Sequence, residues 1–195
     1  ALRADMTKEE FIKEVTEGLM PPPSYFPLNA KMNKEGYEDI DSIIDRGINP
    51  ISVLKFEKIA NDTGAIILDV RHQQDFAKAH IPKSIFIGLK GGFAPWVGTL
   101  IADVKQPILL VVEKGEEEEA ITRLSRVGFD NTIGYLEGGF LAWKESGKQV
   151  DKVTSISAQQ FENEIKNNDS VIFDVRKKSE YDNERIDSAI NTPLD

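Results

Sequence analysis

No cysteine occurs anywhere in the 195 residues. That excludes disulfides, thiolate metal sites and every thiol nucleophile. Histidine is nearly as scarce, since His72 and His80 are the two present, too few for a histidine-rich metal site within the chain. No apolar run approaches the roughly 20 residues that a membrane-spanning helix needs, and the opening Ala1-Leu2-Arg3-Ala4-Asp5-Met6-Thr7 has no signal-peptide pattern. The expected location is therefore the cytoplasm, with no membrane partner. Basic residues are outnumbered, 24 Lys and Arg against 33 Asp and Glu, for a net charge of −9. Gripping nucleic acid takes a concentrated Lys/Arg surface, so no nucleic-acid partner is expected.

What is present is the composition of an ordinary folded protein, 40% hydrophobic and 29% charged, long enough for one well-cored domain plus a remainder or for two small ones. Thr7-Lys8-Glu9-Glu10 has capping-box form, and Phe11, Val15 and Leu19 follow at four-residue spacing, so residues 8–19 read as an amphipathic helix with Gly18 near its end. Pro21-Pro22-Pro23 then favours an extended path into Tyr25-Phe26-Pro27-Leu28 and a polar stretch to Asn49. This segment lacks a core of its own and is expected to pack on something else.

Sliding the chain against itself by 105 residues, the distance from Ile51 to Ile156, reveals an internal repeat without gaps. Ile51-Ser52 falls on Ile156-Ser157, Phe56-Glu57 on Phe161-Glu162, and Asp69-Val70-Arg71 on Asp174-Val175-Arg176. Ile67, Ile81, Ile85 and Leu89 fall on Ile172, Ile186, Ile190 and Leu194. Identity falls mostly at apolar positions and at the Asp-Val-Arg signature, as expected of two copies of one folding unit.

In each copy a Ser N-cap candidate opens a short helix carrying Phe56 or Phe161, and a turn leads to an apolar run, Ala65 to Val70 or Val171 to Val175. A run apolar on both faces reads as a buried parallel strand. The first copy continues with a helix over 73–78, a short strand over 84–87, a strand over 108–112, a helix presenting Ala120, Leu124 and Val127, and a last strand near 132–134. Strands alternating with helices predict an α/β fold with a central parallel sheet flanked by helices. Residues 151–195 hold the first half of a second copy, which would leave a strand edge and an apolar face exposed. The expectation is a fragment of a longer protein. The alternative is that the half-copy docks on the first domain or exchanges between protomers.

Ile67-Leu68-Asp69-Val70-Arg71, Phe76, His80-Ile81-Pro82 and Ser84-Ile85 resemble the first conserved block of the rhodanese (sulfurtransferase) family. Gly128-Phe129-Asp130-Asn131 and Leu136-Glu137-Gly138-Gly139-Phe140-Leu141-Ala142-Trp143 resemble its closing block. In active members the strand corresponding to the one ending near Val112 delivers a cysteine into a Cys-x-x-Gly-x-Arg loop, whose inward amides and following helix N-terminus stabilise a thiolate. Here the segment reads Val111-Val112-Glu113-Lys114-Gly115-Glu116-Glu117-Glu118-Glu119, and no residue among 111–113 supplies sulfur. The resemblance therefore implies a degenerate active-site loop over Glu113, Lys114, Gly115, Glu116, Glu117, Glu118 and Glu119, with no catalytic residue and no sulfurtransferase activity. Asp69, Arg71, His80, Gly138, Gly139 and Trp143 carry over as structural signature residues.

Each candidate has a plainer role beside it. Glu116 to Glu119 form an acidic site for a cation or basic partner, or simply a first helical turn favoured by the helix dipole; the second reading is preferred. Asp69 and Arg71 lie where α/β sheets place ligands, yet are read as a pair that fixes the loop. His80 is read as hydrogen-bonded structure rather than an acid–base catalyst, and Arg185 replaces it in the second copy. His72 is a surface residue. Trp96 stands in a glycine-rich loop, Gly91 to Gly98, as edge packing or as a lid, and this loop lacks a phosphate-binding signature.

The N-terminal helix followed by Pro-Pro-Pro-Ser-Tyr-Phe-Pro-Leu-Asn and Asn33 resembles the region that ends the catalytic domain of metallo-β-lactamase-fold proteins carrying C-terminal rhodanese repeats, similar to glyoxalase II-type hydrolases and persulfide dioxygenases. That resemblance covers residues 5–37. It implies that 1–49 is the tail of a metallo-hydrolase domain, 50–150 a complete rhodanese-like domain and 151–195 half of a second. It places zinc or iron in the missing catalytic domain and no cofactor in this chain. The implied function is an inactive module serving the catalytic domain of the same protein, with a homo-oligomer as a further partner. The rivals are an enzyme using Glu113 or a nearby carboxylate as base, and a free-standing module for a basic partner.

Overall fold

The computed structural model describes residues 6–17, 26–167 and 170–194. Five strands, β1 (Pro50–Ile51), β2 (Ile66–Asp69), β3 (Ile85–Phe86), β4 (Ile108–Val111) and β5 (Thr132–Leu136), form a wholly parallel sheet in the order β1-β5-β4-β2-β3. β4, Ile-Leu-Leu-Val, is buried at every residue. Alternation sends Ile108 and Leu110 into one cluster and Leu109 and Val111 into the other, so the central strand needs apolar side chains on both faces.

Helices cover both faces. In chain order they are α1 (Lys8–Thr16), α2 (Phe26–Glu35), α3 (Ile40–Gly47), α4 (Val53–Thr63), α5 (Gln73–Lys78), α6 (Phe93–Leu100), α7 (Glu117–Ser125) and α8 (Gly139–Glu145). One face packs Ile43 of α3, Phe93 and Val97 of α6, and Ala120, Ile121 and Leu124 of α7. The other packs Phe56 of α4 and Trp143 of α8 edge to face, with Ile81 alongside. At Gly134, with φ 150, a side chain is excluded outright: a Cβ would stand 2.5 Å from the Asn49 carbonyl oxygen and 2.6 Å from Ile51 Cδ1. This lets β1 close against β5.

Several elements differ from the sequence-based expectation. The predicted helix over 8–19 carries its capping box at Thr7 and Glu10 but runs to Thr16; Gly18, Leu19, the extended path predicted at Pro21-Pro22-Pro23 and Tyr25 lie outside the described residues. Phe26-Pro27 opens α2 rather than continuing an extended path, because Pro is tolerated in a first helical turn, where N–H groups lack partners anyway. Ile43 is buried in the core of the following domain, and α3 packs on α7 and β5, so this part of the segment packs on that domain. Trp96 stands on α6, not in a loop, and is partly exposed. Ser52 holds the N-cap position without a side-chain bond, whereas Ser157 Oγ accepts from the Gln160 N–H at 3.2 Å.

The second copy forms α9 (Ala158–Asn167), β6 (Phe173–Asp174), α10 (Lys178–Asn183) and β7 (Ile190–Asn191), with β6 and β7 parallel. As expected of half a copy, its apolar strand is left open: Val171, Phe173 and Val175 are exposed. The connection between copies is fixed, since His80 and Asp151 exchange both backbone hydrogen bonds at 2.9 Å and the Val153 N–H donates to the Ala77 carbonyl at 2.9 Å. No helix among the described residues is long and apolar enough to cross a membrane.

Candidate functional site

A cleft of about 850 Å³ opens at the C-terminal edge of the sheet, where parallel α/β sheets present their strand ends and loops. The β4–α7 loop forms one wall through Val112, Glu113, Lys114 and Glu117; Gly138, Gly139 and Phe140 form another. The sequence-predicted loop and closing block are thus brought together. His80 and Trp143 are not among the residues that line this cleft.

Arg71 reaches the cleft from the end of β2 but is committed to Asp69. Its Nε donates to Asp69 Oδ1 and Oδ2 at 2.9 and 3.1 Å, and its Nη2 to Oδ2 at 2.7 Å and to the Ala79 carbonyl at 3.0 Å. The guanidinium also lies 4.1 Å from the Phe140 ring centroid. Asp69 is completely buried and Arg71 nearly so. A paired charge with its donors used in this way ties β2 to the α5–β3 connection. The second copy reproduces the contacts: Arg176 Nε donates to Asp174 Oδ1 at 3.0 Å and Nη2 to the Glu184 carbonyl at 2.8 Å.

The loop itself is built around its own carboxylates. Gly115 has φ 91, a left-handed conformation that favours glycine, and its N–H donates to Glu117 Oε2 at 2.7 Å. The Glu116 N–H donates to the Glu113 carbonyl at 3.0 Å. Two of the loop's amides, those of Gly115 and Glu116, are therefore engaged by the chain itself. Glu116 and Glu119 turn away to Lys90, at 2.9 and 3.6 Å, and Glu119 also meets Arg123 at 3.4 Å. Pairing with Glu116 raises the Lys90 ammonium above its ordinary pKa. Glu117, Glu118 and Glu119 occupy the first turn of α7, where the dipole favours them. Among the described residues, no group of three or more His, Asp or Glu is placed to hold a metal ion.

The cleft also contains residues that sequence reasoning passed over. Tyr135, on β5, has its hydroxyl pushed above the ordinary pKa by burial and then by the negative charges of Glu117 and Glu137. Asp75 and Lys78 pair across 3.1 Å at the rim, and this bond lowers the Asp75 carboxyl. Alternation along β5 is the signal that could have marked Tyr135, whose neighbours Gly134 and Leu136 are both buried. At Gly138, with φ 74, the backbone turns from β5 into α8, and a Cβ would meet Ala142 Cβ at 2.9 Å.

His80 has a structural setting. Nδ1 lies 2.9 Å from the Phe76 carbonyl oxygen, which requires that nitrogen to carry the proton, and the ring stacks on Phe76 with centroids 3.9 Å apart. In the second copy Arg185 lies over Tyr181, 5.1 Å from its centroid, preserving the stack with a different cation-capable group. His72 is the N-cap of α5, where Nδ1 accepts from the Gln74 N–H at 3.3 Å. Trp143 is buried, and its Nε1 donates to the Gln149 carbonyl at 2.9 Å.

Comparison with curated proteins finds no match. Among solved structures, the chain is similar to a metallo-β-lactamase from Staphylococcus aureus subsp. aureus COL, at 21% identity and TM-score 0.52, over 67% of this chain and 35% of that one. That likeness shows a shared fold. The rhodanese-like domain of an Anabaena sp. protein matches at 19% identity and TM-score 0.47, over 56% of this chain and 86% of its own. A thiosulfate sulfurtransferase from Pseudomonas aeruginosa matches at 17% identity and TM-score 0.42, over 88% and 37% respectively. The family model for the rhodanese-like domain matches residues 52–146 and 157–195, more than half of the chain, and with the parallel sheet and the Asp-Val-Arg signature this establishes that the chain belongs to the rhodanese-like domain family.

Proposed function

We propose that this chain is a non-catalytic rhodanese-like module, a structural or regulatory part of a metallo-β-lactamase-fold hydrolase or persulfide dioxygenase-like protein. The observation that carries the first half is the β4–α7 loop. Setting the family's Cys-x-x-Gly-x-Arg pattern on Gly115 puts Val112 at the nucleophile's place and Glu117 at the arginine's. Valine offers no lone pair for sulfur transfer, and Glu117 reverses the charge and holds the Gly115 amide itself. An anionic sulfur donor approaching this loop meets a carboxylate where active members present a cation. The second half is supported by the resemblance of residues 5–37 to the end of a metallo-hydrolase domain, and by the chain's likeness to a protein described as a metallo-β-lactamase.

Sulfur transfer from thiosulfate to cyanide, measured on a ladder of variants, tests the loop. Glu113→Cys is expected to stay inactive because it lies one residue out of register. Val112→Cys regains little while Glu117 remains, and Val112→Cys with Glu117→Arg regains most. Activity in Glu113→Cys equal to or above that of the Val112→Cys, Glu117→Arg variant would show that the register is wrong. The full-length reading frame tests the context: a His-x-His-x-Asp-His motif upstream of Met6 is expected, and a full-length frame without one refutes the fusion.

A further inference from the structure

The Asp130 carboxyl belongs neither to the cleft nor to the Asp69–Arg71 pair; it stands in a second hollow, of about 440 Å³. There α2 and α3 meet the C-terminal end of α7, and Asp130 shares the lining with Asn29 and Met32 of α2, Ile43 of α3 and Ser125 of α7. Two acceptor oxygens are shut off from solvent in this region, Asn29 Oδ1 and Asp130 Oδ1, and neither receives a hydrogen bond from the described residues. Arg46 of α3 meets Asp130 at the backbone, where Nη2 donates to the carbonyl at 2.8 Å, while Nη1 and Nη2 hold the Glu38 carboxylate at 2.7 and 3.2 Å. The other titratable or charged groups in the lining are Tyr37 and Glu38 before α3 and Arg126 at the end of α7; α2 contributes none. Burial raises the Asp130 carboxyl, ahead of an opposing hydrogen bond with Ser125, repulsion from Glu38 and attraction to Arg46.

We propose that Asp130 is a pH-sensitive latch for α2: the neutral carboxyl lets α2 close over the hollow, and the carboxylate drives α2 off the domain. An ionised oxygen enclosed beside another acceptor has lost its hydration without gaining a donor, which costs free energy. Glu38 and the negative C-terminal end of α7 add to that cost. A neutral carboxyl carries its own donor and needs no counter-ion. Of the elements around the hollow, α2 is the one that can yield. None of its described side chains is buried, whereas α3 is anchored by Ile43 and by its packing on α7 and β5. The sign follows from the raised carboxyl. Its contribution to holding α2 is complete below the ordinary carboxylate pKa of the open state, and is lost as pH climbs through the raised value of the closed one. The N-terminal segment is thus held most firmly on the domain in acid.

Amide hydrogen exchange of the full chain at about pH 4 and about pH 7.5 tests the latch. Protection factors at the α2 amides, residues 30–35, are divided by those of β4, so that changes in global stability cancel. The ratio is expected to fall by roughly threefold or more between the lower and the higher pH. Asp130→Asn keeps the side chain's size but cannot ionise, and should show one ratio at both pH values. Asp41→Asn removes an exposed carboxylate on α3 and should leave the parental dependence intact. A ratio independent of pH in the parent chain overturns the proposal, as does a dependence that survives Asp130→Asn. A ratio that rises with pH also overturns it, and is the result expected if the Asn29 amide turns to donate from Nδ2 to an ionised Asp130.

Discussion

Replacing Arg71 with methionine keeps most of the side chain's length and removes the guanidinium from a carboxylate that is completely buried. Removing one partner of a buried pair costs about 3–5 kcal/mol, because the remaining charge has neither water nor counter-ion. Asp69 keeps one donor, the Arg71 backbone N–H at 3.1 Å, so the low end applies. The Ala79 carbonyl also loses its donor. A loss of about 3 kcal/mol is a large share of the 5–15 kcal/mol that holds a domain together. With a urea dependence of about 2 kcal/mol per M, the midpoint should fall by about 1.5 M. Trp143 fluorescence reads this transition from within the core of the first copy. The second copy supplies the control, because Arg176 and Asp174 have the same geometry but the Arg176 side chain is 45% exposed. There Arg176→Met should shift the far-UV circular dichroism transition hardly at all, since exposed pairs contribute about 0–1 kcal/mol. Equal shifts for the two variants, or a shift below about 0.5 M for Arg71→Met, would refute the reasoning that burial decides the cost.

Gly134→Ala should force β1 away from β5, costing about 1–3 kcal/mol and lowering the melting temperature by roughly 5–20 °C, as a thermal scan would show. Asp130→Asn should stabilise at neutral pH. Desolvation, with a smaller contribution from Glu38, raises the Asp130 carboxyl in the folded state. The folded state then loses stability as pH climbs from the unfolded carboxylate pKa through the raised folded value, and the asparagine variant escapes that loss. Its advantage in urea midpoint should be present at pH 7 and vanish below about pH 4. Asp174 gives the opposite sign. Its hydrogen bonds with the Arg176 side chain lower its pKa, so its contribution is present above the unfolded value and fades as pH falls through the folded one. Chemical shifts of its carboxyl carbon should therefore titrate below those of an unstructured aspartate.

The parts of the fold that could be read in sequence are those with a strong local signature or a second instance. α5 begins and ends where the pattern puts it, at Gln73 and Lys78, because His72 caps one end and the other leads into the His80-Ile81-Pro82 turn. β2 and β4 were visible as apolar runs bounded by polar residues. The parts that were missed depend on tertiary contacts. α3 has few apolar residues, and their helical spacing at Ile40, Ile43 and Ile44 is hidden in a polar stretch; its place is fixed by packing on α7 and β5. α6 looks like a loop because glycines crowd around it and Pro95 lies within it, although Pro in a first turn removes no needed donor. β6 shows the converse. Its apolar run alone reads as buried, but the repeat, which stops halfway through the second copy, already implied an exposed edge and apolar face, as the exposure of Val171, Phe173 and Val175 shows. At the site, the missing thiol is a matter of composition, but the capture of the Gly115 amide by Glu117 needed coordinates.

With valine and glutamate where a nucleophile and its arginine would stand, the rhodanese-like module is expected not to transfer sulfur. The most direct measurement is the steady-state formation of thiocyanate from thiosulfate and cyanide by the unmodified chain. A rate indistinguishable from the uncatalysed background is expected at every protein concentration; thiocyanate formation rising in proportion to added protein would contradict the non-catalytic reading of the loop.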